Sequence, residues 1–201
     1  LIRDPYAIYA ERVLRLRPLD PMRPAPDAAL RGSILHRILE GWVKGGADPA
    51  RFAPMAEEVL ARDVPWPTAR LIWRARLARV ADWFLAREAG RAGVPLAVEA
   101  KGGVQVTPGF RLTARPDRID RLPDGRVEIV DYKTGRPPSA AQIRAFDKQL
   151  LLEAAMAARG AFAELDGPAE VAAAVYIGLG SQPAEQRLDL GEGEAETAWN
   201  E

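Results

Sequence analysis

The residues best suited to chemistry lie in one stretch that is predicted to form a β-hairpin. Asp117 precedes one short apolar strand, and Asp131 and Lys133 end the next, with a turn at 123–125 between them. Two carboxylates and a lysine at this spacing could hold a divalent metal ion and a water molecule against a phosphodiester. The hairpin therefore makes the chain a candidate nuclease. The alternative is that these residues are ordinary solvated charges on a surface hairpin.

The length of the turn sets which residues face each other across the hairpin. A three-residue loop predicts that Ile119 lies opposite Ile129. The same register places Asp117 opposite Asp131, on the face that carries the two isoleucines. Opposed Cβ atoms are about 5 Å apart, so the carboxylates repel unless a cation such as Mg²⁺ lies between them or a pKa is raised. A two-residue loop would shift the register by one and separate the two acids.

A second group of polar residues lies on a predicted helix at about Ala28–Lys44. Gly32, His36 and Glu40 are spaced four apart and share one stripe of that helix. His36, the only histidine, could bind a metal ion through a ring nitrogen. Gly32 would let another backbone or a nucleic acid strand approach closely. A lone helical histidine is also commonly structural, and that alternative stays open.

A third group lies on the helix predicted at about 140–159, after the hairpin. Ser139 is a suitable N-cap for this helix. Gln149 could hydrogen-bond to a phosphate or to a bound water. Arg144 and Lys148 fit an exposed polar face at least as well as a functional role.

Composition narrows the class of protein. The 201 residues suit one domain, or one domain with an added helical part. The formal net charge is zero, which argues mildly against non-specific coating of DNA but leaves a local cleft open. The absence of cysteine excludes disulfides, Cys-ligated zinc and iron–sulfur clusters. No transmembrane run or signal peptide is evident, and the chain begins at Leu1, so we expect a fragment of a longer cytoplasmic protein.

The order of the predicted elements is helices, then strands, then a helix, then a strand, which indicates a mixed α/β core preceded by a helical region. Residues 1–26 should form an N-terminal helix, starting at Asp4-Pro5, and a proline-rich linker. Residues 27–190 should form the main domain, the candidate nuclease domain, with a helical insertion at about 49–90. Residues 191–201 should form a loosely ordered tail. The other expected helices lie near 28–44, 49–62, 68–89 and 140–159, and the strands near 97–101, 103–107, 110–121, 126–132 and 170–177.

Five motifs follow one another in a fixed order along most of the chain. They are Gly32-x-x-x-His36-x-x-Leu39-Glu40, Glu99, Asp117-Arg118-Ile119-Asp120, Asp131-Tyr132-Lys133-Thr134-Gly135 and Gln149-Leu150. Jointly they resemble the RecB-family branch of the PD-(D/E)XK nucleases. The opening segment at 3–10 resembles the start of the nuclease domain of AddB-type subunits, which act with a helicase–nuclease on double-strand breaks. The resemblance implies a restriction-endonuclease-like core, a mixed central sheet flanked by helices, with an N-terminal helical region.

The resemblance also implies the ligands of a metal ion. His36, Asp117 and Asp131 would bind Mg²⁺, or Mn²⁺ in its place. The main-chain carbonyl of Tyr132 would add one more oxygen. No iron–sulfur cluster is expected, although many AddB relatives have cysteines for one, and Asp4 stands near where the first cysteine would be.

The remaining roles follow from the same resemblance. Lys133 would position and polarise the attacking water, and Gln149 would support the site. The catalytic residues would thus be Asp117, Asp131, Lys133 and Gln149. Glu40 and Glu99 would be accessory. The chain departs from the family where Ala114 stands near a common glycine and where Glu153 replaces a tyrosine.

The function implied is a Mg²⁺-dependent exonuclease domain that digests single-stranded DNA ends during double-strand break resection. Its partners would be DNA and an AddA-type helicase–nuclease subunit, in the bacterial cytoplasm near the nucleoid and away from membranes. A different class of function is a catalytically silent nuclease-like module that only grips DNA or a helicase. A restriction-type endonuclease would share the hairpin as well.

Overall fold

The computed structural model describes residues 5–17, 25–145, 147–191 and 193–200. The helices there are α1 (Pro5–Ile8, continued by a π-helical segment, Tyr9–Val13), α2 (Ala28–Lys44), α3 (Pro49–Asp63), α4 (Pro67–Ala89), α5 (Ala140–Ala145), α6 (Gln149–Ala157) and α7 (Glu194–Asn200). Capping residues explain where several of them begin. Asp27 accepts a hydrogen bond from the Leu30 N–H at 2.7 Å at the start of α2, and prolines occupy the first turns of α3 and α4.

The strands are β1 (Val94–Val98), β2 (Gly102–Thr107), β3 (Phe110–Ala114), β4 (Arg118–Arg121), β5 (Val127–Lys133), β6 (Val171–Gly178) and β7 (Ala184–Asp189). Five of them form one mixed sheet in the order β1-β4-β5-β6-β7, while β2 and β3 form a separate hairpin. β5 and β6 are parallel and the other neighbours are antiparallel. This sheet with flanking helices confirms the fold class predicted from the sequence.

Each face of the sheet carries its own hydrophobic core. On one face α2, α3 and α4 pack against β5 and β6, with the rings of Trp42, Phe52 and Phe84 within 5.4–5.6 Å of one another. On the other face α6 covers Ile119 and Ile129. Every residue of β6 is buried, which explains its continuous run of apolar and small residues.

The hairpin of β4 and β5 has the register that the loop length predicts. Leu122 N–H donates to the Arg126 carbonyl at 2.8 Å, and Ile119 faces Ile129. The last ladder pair joins Arg118 to Val130, so Asp117 comes one residue before the strand, beside the end of β5. The two-residue loop is therefore excluded.

A buried ionic network lies behind this hairpin. Arg118, with no exposed surface, donates to the Glu88 carboxylate at 2.8 Å and to the Tyr132 hydroxyl at 2.6 Å. Its Nε also lies 3.0 Å from Asp120 Oδ1. The network joins β4 to α4. Arg118 and Asp120 therefore belong to the structural face of the hairpin, opposite to the face of Asp117.

Two predicted elements are in fact divided. The single strand expected at 110–121 is β3 followed by β4, and the two pair with different sheets because Pro116, which has no N–H, stands between them. The helix expected at 140–159 is α5 followed by α6. The break lies at Asp147, whose carboxylate accepts a hydrogen bond from the Tyr176 hydroxyl at 3.2 Å.

The C-terminal part of the described chain contains a strand and a helix that were not predicted. The segment expected to be loosely ordered contains α7, so that prediction is wrong for residues 194–200. Arg159 holds this helix on α6 through Glu196, at 2.7 Å, and through the Trp199 ring, at 4.0 Å. β7 was also missed, because its polar residues alternate with little apolar pattern. The expected helix start at Asp4 and most of the proline-rich linker lie outside the described residues.

Candidate metal centre

Asp117 lies at the meeting point of three elements at one end of the sheet. Its Oδ2 accepts a hydrogen bond from the Tyr132 N–H at 2.8 Å, so the carboxylate is fixed against β5. Its main-chain carbonyl accepts from the Glu99 N–H at 3.0 Å, which fixes its backbone against the end of β1. Its Oδ1 accepts from His36 Nδ1–H at 2.9 Å, which joins it to α2.

His36, Glu99 and Asp117 are grouped closely enough to hold one metal ion together. One ligand atom from each lies within 4.8 Å of the other two. The hydrogen bond to Asp117 raises the pKa of His36, against the opposing effect of burial. Burial raises the pKa of Glu99, and the charge of Asp117 adds to that effect. The charges of Asp117, Asp131 and Glu99 also raise the pKa of His36, so negative charge is in excess around the imidazole.

Glu99 has a more central place than the accessory role predicted for it. It follows β1 directly and has a positive φ of 55°, a conformation that non-glycine residues seldom adopt. Arg115 holds it there, with Nε 2.7 Å from the Glu99 carboxylate and 3.1 Å from its carbonyl. The strand was expected to continue to residue 101. Ending it at Val98 turns the Glu99 side chain toward His36 and Asp117.

Asp131 and Lys133 complete the site from the adjacent strand. The Lys133 ammonium is 2.8 Å from Asp131 Oδ2 and 5.4 Å from the centre of the Tyr176 ring. Gln149, the first residue of α6, donates from Nε2 to Asp131 Oδ1 at 3.4 Å. Burial raises the pKa of Asp131 to about 6, and the charge of Asp117 contributes. The break before α6 gives Gln149 this position.

The donor set fits a divalent cation. An imidazole nitrogen and carboxylate oxygens are ligands that Mn²⁺ and Mg²⁺ accept. Burial raises the pKa values of Glu99 and Asp131, and the charge of Asp117 adds to this effect. A cation would offset the part that comes from the neighbouring negative charge. His36, Glu99 and Asp117 would hold it from one side and Asp131 from the neighbouring strand.

Two predicted residues stand apart from this group. The Glu40 carboxylate pairs with Lys44 at 2.7 Å, and its charge reaches the site only through its effect on Glu99. Tyr132 contributes its N–H to Asp117, while its side chain lies on the opposite face with Arg118. The ligand role of its carbonyl stays a prediction.

Gly32 lies one turn before His36, next to open space. A Cβ built there meets no atom of the described residues within 4 Å. Among the described residues, no backbone outside this helix makes the close approach that the glycine permits.

Sequence reasoning missed three neighbours of the site. Arg115 and Tyr176 gave no signal, because they reach the site through pairings distant in sequence. The sequence did give a signal for Glu153, which stands four residues after Gln149, where the family pattern has tyrosine. It is buried and accepts a hydrogen bond from Gln149 Nε2 at 3.2 Å, so the amide links Glu153 to Asp131.

A mixed sheet with Asp just before one strand and Asp-x-Lys at the end of the next is the arrangement expected of the class of PD-(D/E)XK nucleases. The chain belongs to this superfamily: the sequence profile of the PD-(D/E)XK nuclease superfamily matches residues 2–200. Membership indicates nuclease activity, and nucleases of this superfamily use divalent metal ions. The resemblance seen in the sequence is thus confirmed at the level of the superfamily.

The chain is also similar to uncharacterized proteins of Rickettsia. It is 25% identical over 175 residues to one from Rickettsia bellii and 24% identical over 178 residues to one from Rickettsia typhi. Each match covers 81% of this chain and 21% of the relative, so the chain spans about a fifth of their length. The crystal structure of SSO0001 aligns with 97% of this chain and 81% of its own, at a TM-score of 0.37 and 14% identity.

None of the helices in the described ranges is long and apolar enough to cross a bilayer.

Proposed function

We propose that this chain is a Mg²⁺-dependent nuclease domain that hydrolyses phosphodiester bonds of single-stranded DNA. The observation that carries the proposal is the convergence of His36, Glu99 and Asp117 within 4.8 Å, beside the ion pair of Asp131 and Lys133. A bound divalent cation would lower the pKa of the attacking water and neutralise charge on the phosphate oxygens.

The chain's own residues supply the rest of the chemistry. Lys133 orients the attacking water and offers a positive charge to the phosphate as negative charge grows on it. Gln149 fixes the Asp131 carboxylate, and the Tyr132 N–H fixes that of Asp117, so both keep their orientation without rearranging. In-line attack would leave a 5′-phosphate and a 3′-hydroxyl, as in the family that the motifs resemble.

We also propose a biological role that is more specific than membership of the superfamily. The order of the motifs and the opening segment at 3–10 support an AddB-type subunit, which would digest single-stranded ends during double-strand break resection. It would act with an AddA-type helicase–nuclease partner, in the bacterial cytoplasm near the nucleoid.

The test is digestion of end-labelled single- and double-stranded DNA by the chain, with Mg²⁺, with Mn²⁺ and with EDTA. We expect metal-dependent loss of the single strand by the wild type. Asp131→Ala and Lys133→Ala should each reduce it to background, a loss of about a hundredfold to a thousandfold, because Asp131 would help to hold the cation and Lys133 offers positive charge to the phosphate. Lys101→Ala removes an exposed lysine outside the site and should cleave like the wild type.

Unchanged cleavage in both site variants would refute the assignment. A wild type that binds single-stranded DNA but cuts it with neither metal would instead identify the silent binding module.

A further inference from the structure

A groove of about 740 Å³ opens beside the metal centre and has no part in the chemistry proposed above. It lies between α2, α4 and the segments that follow β5 and β6, at the end of the sheet where Asp131 and Lys133 stand. Its wall is joined to the site, because the Leu179 N–H donates to the Lys133 carbonyl at 2.8 Å. We call it the arginine groove, after Arg31, Arg76, Arg79 and Arg136, which line it.

The charge of the arginine groove is of one sign. Four arginines from α2, α4 and the loop after β5 line it, and no acidic residue is among its lining residues in the described chain. Within the described ranges none of the four is paired with a carboxylate, whereas Arg37, Arg87, Arg115 and Arg118 all are. In a chain of zero net charge this is a local concentration of unpaired positive charge, suited to a polyanion.

The floor of the groove is apolar. It is made by buried side chains that include Ile34, Leu35, Trp73 and Val80. Arginines above an apolar floor suit a polyanion that has flat apolar groups as well as phosphates. An unpaired nucleic acid strand has both, since its bases are free to turn inward while its phosphates meet the guanidinium groups. In a duplex the bases are stacked and paired, and cannot reach such a floor.

We propose that the arginine groove binds one unpaired strand of nucleic acid and leads it to the metal centre. The inference rests on the proposed nuclease function, whose site the groove adjoins. Arg76 and Arg79, both exposed and one turn apart on α4, would contact successive phosphates. The groove would then select single strands over duplex before any bond is cut.

Binding can be measured without cleavage. Fluorescence anisotropy of a labelled oligothymidine in EDTA, over a range of salt concentrations, gives the affinity and its salt dependence. For Arg76→Ala/Arg79→Ala we expect binding about tenfold weaker, and a slope of log K against log salt smaller by about 1.4, the value for two lost phosphate contacts on a single strand. A labelled duplex should bind the wild type more weakly than the single strand.

The matched control is Arg70→Ala/Arg74→Ala. It removes two arginines from the same helix and changes the net charge equally, but these residues lie outside the arginine groove and Arg74 is paired with Glu57. It should bind oligothymidine like the wild type. Circular dichroism spectra of the two double variants should match that of the wild type, so that a loss of affinity is a loss of contacts.

Several outcomes would overturn the inference. Equal losses in the two double variants would show a general charge effect, and equal affinity for duplex and single strand would exclude selection by the floor. If the wild type does not bind oligothymidine even at low salt, the arginine groove does not bind nucleic acid, and an acidic protein segment becomes the better candidate for its ligand. Asp131→Asn separates this inference from the proposed function: it should bind oligothymidine normally in EDTA and fail to cut it with Mg²⁺, so each property can fail independently.

Discussion

At the scale of single residues, Glu153 is the group whose environment suits its charge least. Its side chain is buried, and although Gln149 donates to Oε1, Oε2 has no hydrogen-bond partner among the described residues. Burial raises its pKa from an ordinary value of 4.5 to about 7, and the charges of Asp131 and Asp117 contribute. Between pH 4.5 and about 7 the folded protein therefore holds a proton on Glu153 that the unfolded chain has already released.

We predict that Glu153→Gln stabilises the protein at about pH 8 and not at about pH 4. Because the folded pKa is raised, the stability that comes from holding the proton is present below the unfolded value of 4.5 and is lost as the pH rises to about 7. Above that, the buried carboxylate costs roughly 3 kcal/mol, which glutamine avoids while keeping the shape. Urea denaturation in EDTA at several pH values measures the difference.

Exposed Glu164 provides the control for this prediction. Glu164→Gln removes the same charge at the surface and should leave the pH dependence of unfolding unchanged. A gain for Glu153→Gln that is equal at both pH values would show that packing, and not ionisation, is the cause.

At the scale of secondary-structure elements, two glycines of α2 differ in their surroundings, so they separate the effect of helix propensity from the effect of packing. Gly32 and Gly41 both lie inside this helix. A Cβ at Gly32 meets no described atom within 4 Å, whereas one at Gly41 lies 3.1 Å from Met55 Sδ. Helix propensity favours alanine at both sites, but packing opposes it at only one.

We predict that Gly32→Ala raises the free energy of unfolding by about 0.5–1 kcal/mol, because alanine loses less backbone entropy than glycine in a helix. Gly41→Ala should gain less than half as much, since Met55 must move. Urea denaturation of the two variants checks this. Equal gains would mean that Met55 accommodates the methyl group without cost, and a loss for Gly32→Ala would contradict the open space seen there.

The elements that were predicted correctly are those encoded by nearby residues. The register of β4 and β5 follows from the turn at 123–125, and α2 has both bounds as predicted because Asp27 caps its start and Gly45-Gly46 follows its end. The register of this hairpin could therefore be predicted from the sequence.

The features that were not predicted correctly depend on contacts between residues distant in sequence. The division of the helix at Asp147 involves Tyr176 on β6, and α7 is held in place by Arg159, which contacts its Glu196 and Trp199 side chains. Glu99 likewise enters the site through a backbone hydrogen bond to Asp117 and an ion pair with Arg115. Local propensity does not report such contacts, so these features could not be predicted from the sequence.

At the scale of the whole molecule, the zero net charge conceals a strong separation of charge. Carboxylates with raised pKa values crowd around Asp117 and Asp131, while the four arginines of the groove lie nearby at the same end of the sheet. Elsewhere many charges are neutralised in pairs, such as Arg118 with Glu88. Composition averages these regions to zero, which is why the net charge gives no sign of the arginine groove.

The crowded carboxylates predict that the folded state gains stability from a divalent cation. At a Mn²⁺ concentration about a hundred times Kd the gain is about 2.7 kcal/mol, which raises the Tm of a domain of this size by about 5–10 °C. The shift should be smaller at about pH 5.5, because protons then compete for Asp131, with its pKa of about 6, and for His36, whose pKa is raised.

Thermal unfolding of three proteins with and without Mn²⁺ tests this prediction. The wild type should show the shift in Tm, and Asp117→Asn should lose most of it. Lys133→Ala should keep it, because Lys133 competes with the cation for Asp131 and is not a ligand. An undiminished shift in Asp117→Asn would mean that Mn²⁺ binds elsewhere, and the centre drawn here would be wrong.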